Sequence, residues 1–139
     1  MLVPIEIMKN KYTKKTWEQA VELLRRHPEQ QQFVIDCYYD DPLTSAANRY
    51  WHSEEWKGVQ QFLPPNKGCA LDVGAGRGIA SYALARDGFS VVALEPDPSP
   101  IVGAEAIRTL ARECALDISV TETFSEQLPF ENEQFDLIF

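Results

Sequence analysis

The stretch Leu71–Gly88, "LDVGAGRGIASYALARDG", sets three glycines within five positions and an aspartate two residues ahead of the first. The apolar run Cys69 to Val73 leads into it and reads as a strand. From Gly78 to Arg86 the pattern becomes helical, with Ala80, Ala83 and Leu84 on one face, and Gly88 falls where a helix ends in a left-handed turn. A strand, a bare turn and a helix in that order form the place where doubly wound folds hold a nucleotide-like ligand. Glycine has no Cβ, so a ligand can lie almost on the backbone.

The alternation continues downstream. Ser90 to Leu94 reads as a buried strand, Ile101 to Ala115 as a helix and Ile118 to Thr121 as a third strand. Glu131 to Gln134 is a polar turn before a fourth strand, Phe135 to Phe139. Such alternation predicts an α/β fold, a doubly wound Rossmann-like parallel sheet with helices on both faces. A parallel strand needs cover on both faces and a paired or blunted edge, so a chain closing on Phe139 is expected to be the front part of a larger domain.

Upstream the texture is helical, and the Pro64–Gly68 run, "PPNKG", marks the boundary between residues 1–63 and residues 64–139. Thr16 with Gln19 forms a capping box, and Trp17, Ala20, Val21 and Leu24 share a face before His27-Pro28 stops the helix. Phe33, Val34, Cys37 and Tyr38 continue a shorter stripe. Ala47, Tyr50, Trp51, Val59, Phe62 and Leu63 then follow near helical spacing, with His52 inside the same amphipathic segment.

With 45% hydrophobic and 24% charged residues the chain is globular in composition, and its formal charge of −8 repels phosphate backbones. Nucleic acid is therefore not an expected partner. The basic run Lys9–Lys15 reads as a solvated segment. Cys37, Cys69 and Cys114 are odd in number and form no CxxC, which predicts buried thiols in a reducing compartment, no disulfide framework and no metal site. The Met1–Met8 run is too short for a signal peptide, and no apolar run approaches a membrane span. The expectation is a cytoplasmic protein with no membrane partner. His27 and His52 have no triad partner and read as structural residues. Asp136 is expected to fix the turn after Glu133.

Two ligand classes use a glycine loop of this kind, dinucleotides and S-adenosylmethionine. Gly74, Gly76 and Gly78 give GxGxG, whereas GxGxxG would want a small residue where Ile79 stands. A carboxylate at Asp72 would repel a pyrophosphate and attract an ammonium group. Glu95 closes the second strand, where a carboxylate can accept hydrogen bonds from both ribose hydroxyls of either class.

Three ordered blocks, "ALDVGAGRG", "VVALEPDP" and "LPFENEQFDLIF", resemble the class I S-adenosylmethionine-dependent methyltransferases, in the small-molecule branch called type 11, over roughly residues 68 to 139. The resemblance implies strand order 3-2-1-4 here, with three further strands beyond Phe139. Residues 64–139 would be the first half of the S-adenosylmethionine-binding domain, and residues 1–63 a helical lid or substrate-side region. It implies that Asp72 faces the methionyl amine and that Gly74, Ala75, Gly76 and Gly78 underlie the cofactor. Glu95 would grip the ribose, with Pro96 and Asp97 flanking the adenine. The positions that read the adenine amino group in this family fall on Phe124 and Ser125. Phe124 departs from the family's polar residue. Either it stacks on the base or a shifted register gives the role to Thr123 or Glu126.

The implied activity is methyl transfer from S-adenosylmethionine to a small-molecule acceptor, by in-line displacement at the sulfonium methyl. Tyr38, Tyr39, Tyr50 and Trp51 are candidate lid aromatics, since an aromatic face attracts a sulfonium, although helical aromatic stripes also build cores. No catalytic base is visible. The piece alone is expected to turn over no substrate. The rival readings are a nicotinamide-dependent oxidoreductase, disfavoured by Asp72 and Ile79, and a non-catalytic methyltransferase-like scaffold.

Overall fold

The computed structural model describes residues 14–139. Met1–Met8 and most of the basic run Lys9–Lys15 lie outside the described residues. Helix α1 spans Trp17–Arg26, a short 3-10 turn covers Pro28–Gln30, and α2 spans Gln31–Asp36. Then come α3 (Leu43–Trp51), α4 (Glu54–Gln60), β1 (Cys69–Val73), α5 (Ile79–Arg86) and β2 (Ser90–Leu94). The chain continues through α6 (Ala104–Glu113), β3 (Ile118–Thr121) and β4 (Leu137–Ile138).

All four strands are parallel and lie in the order β3-β2-β1-β4, as expected. The register pairs Asp72 with Ala93, and Ala70 with Leu137. Only two residues of the expected fourth strand pair, because Phe135 and Asp136 still belong to the approach from the polar turn.

Helix α5 is buried on more than one side. Ala83 and Leu84 pack with Trp56, Tyr50, Phe89 and Val91, while Tyr82 packs with Ala47 and Leu110. A helix apolar on several faces must be covered on several faces, and α3 and α4 supply the outer cover. Asp87 anchors that cover. Its Oδ1 accepts the indole N–H of Trp51 at 2.8 Å, and its Oδ2 accepts those of Trp56 and the Gln60 amide at 2.9 and 2.8 Å.

The capping box at α1 is present, with Thr16 and Gln19 bonded reciprocally. His27 ends that helix. Gly88 takes the left-handed turn after α5 at φ +101°.

Several expectations need correction. The single helix expected through His52 is two. Ser53 accepts from the Trp56 N–H at 3.0 Å and donates to the Tyr50 carbonyl at 2.6 Å, so its hydroxyl ends one helix and caps the next. His52 is therefore the exposed C-cap of α3, and Phe62, beyond α4, is 87% exposed rather than part of an apolar face. The thiols are not buried. Cys37 caps α2 and Cys69 opens β1, both exposed at element ends, while Cys114 is half-buried at the end of α6.

Asp136 does not fix the turn after Glu133. Its Oδ2 accepts the Cys69 N–H at 2.9 Å and its own N–H donates to the Cys69 carbonyl at 2.9 Å, so it pins β4 to the start of β1. A Cβ on Gly68 would stand 2.0 Å from that carboxylate, which explains the glycine there.

Candidate functional site

Beside β1 the strand order reverses, with β2 and β3 on one side and β4 on the other. Loops leaving the carboxyl ends of such strands diverge and open a crevice. The crevice is a cleft of about 460 Å³. Asp72 to Arg77 and Phe139 line it from the sheet side, and Cys37, Tyr38, Tyr39, Tyr50 and Glu55 from the helical side.

The glycines serve two purposes. Gly74, Gly76 and Gly78 all take positive φ, at +71°, +57° and +88°. A Cβ on Gly74 would meet nothing within 4 Å, and one on Gly76 only the Val102 carbonyl at 4.0 Å, so these two present bare backbone to open space. Gly78 differs. Its Cβ would lie 3.1 Å from the Ile107 side chain, so its bareness lets α5 approach α6. The loop is tied to the end of β2, since Gly74 and Ala75 donate to the Leu94 carbonyl at 2.9 and 3.1 Å.

Asp72 sits at the head of this loop with 3% of its surface exposed. Among the described residues Ser81 is the only hydrogen-bond partner of its carboxylate, the hydroxyl donating to Oδ2 at 2.6 Å. Burial pushes the Asp72 carboxyl above the usual carboxylate range. The hydrogen bonds from Ser81 oppose that, and the nearby negative charge of Glu95 adds to it. Burial, with the charges of Glu55, Tyr38 and Asp72, likewise pushes the Tyr50 phenol up to about 12. A carboxylate that is costly to ionise, walled by aromatic faces, is an environment that rewards a cation.

Glu95 is buried as well, and each of its oxygens is engaged by backbone. Oε2 accepts the Gly76 N–H at 2.7 Å, and Oε1 accepts the Asp97 N–H at 2.9 Å. Glu95, Pro96 and Asp97 therefore adjoin the glycine loop without lining the cleft itself. The segment after β2 is a closed knot. Asp97 Oδ1 accepts the Ser99 N–H at 2.9 Å, its carbonyl accepts the Ala104 N–H at 2.7 Å, and the Ser99 hydroxyl donates to Glu18 of α1. Phe124, 67% exposed, and Ser125 lie on the loop between β3 and β4, and neither lines the cleft.

Arg77, between two of the glycines, carries a role that spacing alone did not reveal. It is 4% exposed, and its Nη1 donates to the carbonyls of Tyr38 and Asp40, both at 3.2 Å. Nη2 bonds Asp41 at 2.7 Å, and Arg25 holds the other oxygen of Asp41 at 2.8 Å. Burial pulls the Arg77 guanidinium down from its usual value while Asp41 supports it. Arg77 thereby holds Tyr38, itself in the left-handed conformation at φ +60°, against the cleft. Of the four aromatics singled out from the sequence, Tyr38, Tyr39 and Tyr50 line the cleft, and Trp51 instead bonds Asp87. Ser81 could have been suspected as a small polar residue among the apolar positions of α5. Arg77 had no such signal.

The family described as "Methyltransferase domain" matches residues 70–139. Among solved structures, the PH0226 protein from Pyrococcus horikoshii OT3 is similar at 23% identity and TM-score 0.48, over 63% of this chain and 40% of that one. The plantazolicin methyltransferase BpumL in complex with SAH is similar at 16% identity and TM-score 0.46, over 85% and 43%. The same enzyme with a monoazolic desmethylPZN analog and SAH gives 16% and 0.47, over 87% and 48%. The chain thus spans less than half the length of each of these structures. No curated protein matches it. No helix among the described residues is long and apolar enough to cross a membrane.

Proposed function

The chain belongs to the methyltransferase-domain family, and from that premise we propose that it binds S-adenosylmethionine in the glycine-loop cleft and serves methyl transfer to a small-molecule acceptor. The observation that carries this reading is the buried Asp72 carboxylate heading a loop whose Gly74 faces open space. A pyrophosphate would be repelled there, whereas an ammonium group is attracted and relieves the cost of ionising Asp72.

In this reading Asp72, oriented by Ser81, holds the methionyl ammonium, and Gly74, Ala75 and Gly76 lie beneath the cofactor with Gly78 opening α5. Glu95 arrives pre-oriented by Gly76 and Asp97, leaving its remaining lone pairs for the ribose hydroxyls. Pro96 and Asp97 flank the adenine, and Phe124 and Ser125 close over it from their exposed loop. When bound, S-adenosylmethionine supplies a methyl group on a positively charged sulfur, already activated for in-line displacement. The chain's own work is then to orient and to exclude water, which Tyr38, Tyr39 and Tyr50 do by walling the cleft. Residues 1–63 act as a lid and substrate-side region over residues 64–139.

Calorimetric titration tests the reading. S-adenosylhomocysteine should bind with micromolar affinity and NADH should give no response; the opposite pattern overturns it.

A further inference from the structure

Glu55 lines the helical side of the cleft, whereas Asp72 lines the sheet side. Among the described residues its carboxylate forms no ion pair and accepts no hydrogen bond. The helix does not need it there. Glu54 pairs with Lys57 at 2.5 Å and Ser53 accepts the Trp56 N–H, so the first turn of α4 already has an acid and a cap. Arg77 is the only cation among the described residues lining the cleft. It spends Nη2 on Asp41 and Nη1 on the Tyr38 and Asp40 carbonyls, and its Nε is buried. Two carboxylates therefore meet the ligand space with no free cation beside them, and the charge of both reaches the Tyr50 phenol. S-adenosylmethionine carries an ammonium, a sulfonium and a carboxylate, hence a single net positive charge. Asp72 offsets that charge, and Glu55 is left over.

We propose that Glu55 selects the methyl acceptor by holding a protonated amine, so that the acceptor is a small cationic molecule and not a carboxylic acid or a phosphate ester. This rests on the reading of the cleft as the cofactor site. An anionic acceptor would meet Glu55 with no free cation to offset it. A neutral alcohol would gain a hydrogen bond and little more. A cation gains the attraction of Glu55 together with the aromatic wall, where the Tyr38 and Tyr50 rings stand edge to face at 5.2 Å. Glu55 also offsets the repulsion that an incoming ammonium would otherwise feel from the sulfonium.

The test uses three probes of nearly one shape, benzylamine, benzyl alcohol and benzoate, which are cationic, neutral and anionic at neutral pH. Each is titrated into the full chain saturated with S-adenosylhomocysteine, whose ammonium then occupies Asp72, and binding is followed by the amide resonances of α4. Benzylamine should bind at least about tenfold tighter than benzyl alcohol, and benzoate should not saturate. Glu55→Gln should erase that preference and leave S-adenosylhomocysteine affinity within about twofold. Glu54→Gln, in the same helical turn but outside the cleft lining, should keep it. Equal affinity for the three probes, a preference that survives Glu55→Gln, or its loss in Glu54→Gln overturns the role of Glu55 alone. So does a Glu55→Gln protein that loses affinity for S-adenosylmethionine but not for S-adenosylhomocysteine, because the carboxylate would then serve the sulfonium. Failure of S-adenosylhomocysteine to bind the unaltered chain overturns the cofactor reading and the acceptor assignment with it.

Discussion

Ser81 and Asp72 meet at 2.6 Å at the base of the cleft that Asp72 lines, where the buried hydroxyl of a helix supports the carboxylate of the neighbouring strand. Because burial raises the Asp72 pKa, the folded protein holds that proton more tightly than the unfolded chain does. The contribution to folding is fully present below the unfolded carboxylate value and is lost as pH rises through the raised one. At neutral pH Asp72 therefore opposes folding and favours a bound cation. Asp72→Asn should raise the melting temperature of the free protein at pH 7 while weakening S-adenosylhomocysteine about tenfold or more. In the unaltered protein, affinity should fall as pH drops through the raised pKa, with proton release on binding visible as buffer-dependent heat. A flat pH profile would count against the ammonium contact.

Glu95→Gln keeps the shape but replaces one of two acceptor oxygens by an NH₂ group, which faces either the Gly76 or the Asp97 N–H. Removing a charged hydrogen-bond partner costs about 1.5–3 kcal/mol. Calorimetry should show a cofactor affinity loss in that range, and unchanged affinity would remove Glu95 from the ribose role.

Gly74→Ala and Gly103→Ala should fail in different ways. At Gly74 a Cβ meets nothing, so the free protein bears only the strain of positive φ, roughly 1–2 kcal/mol, yet loses most cofactor binding as the methyl enters the ligand's space. At Gly103 a Cβ would stand 2.1 Å from the Asp97 carbonyl, so the knot after β2 must break and thermal stability should fall by about 3 kcal/mol. Paired thermal melts and titrations distinguish the two.

Asp87→Ala leaves the indole N–H groups of Trp51 and Trp56 without an acceptor, one of them on a fully buried ring. A loss of about 3 kcal/mol, or a drop of roughly 10 °C in melting temperature, is expected, with a red shift of tryptophan emission. Asp87→Asn retains one acceptor oxygen and should lose less.

Arg77→Met removes the donors that hold the Tyr38 and Asp40 carbonyls and strips Asp41 of one of its two cations. The wall at Tyr38 and Tyr39 should loosen, seen as faster alkylation of Cys37 by N-ethylmaleimide at an unchanged Cys69 rate.

The parts of the fold legible in the sequence are those set by local pattern. The β2 and β3 bounds and the α1 capping box depend on residues within a few positions of each other, as does the left-handed turn at Gly88. Ser53 carries a local signal, a capping hydroxyl followed by Glu54 and Glu55, but the apolar spacing runs continuously across it and masks the break. Apolar neighbours in sequence suggest buried thiols, yet they do not bury a residue at the end of an element, as Cys69 shows. Asp72 and its loop are contiguous in sequence, whereas the reach of Arg77 to Asp41 crosses 36 residues and depends on how α2 and α3 fold back. Long-range polar partners have no period to betray them.

The exchange of hydrogen bonds between Cys69 and Asp136 has a kinetic side. The central strand must find its second neighbour 67 residues later in the chain, after β2 and β3 have had every opportunity to pair on the other flank. Closing so long a loop is slow relative to the local crossovers. During synthesis the open flank of β1 therefore waits, with its backbone groups unclaimed, until the segment around Asp136 emerges.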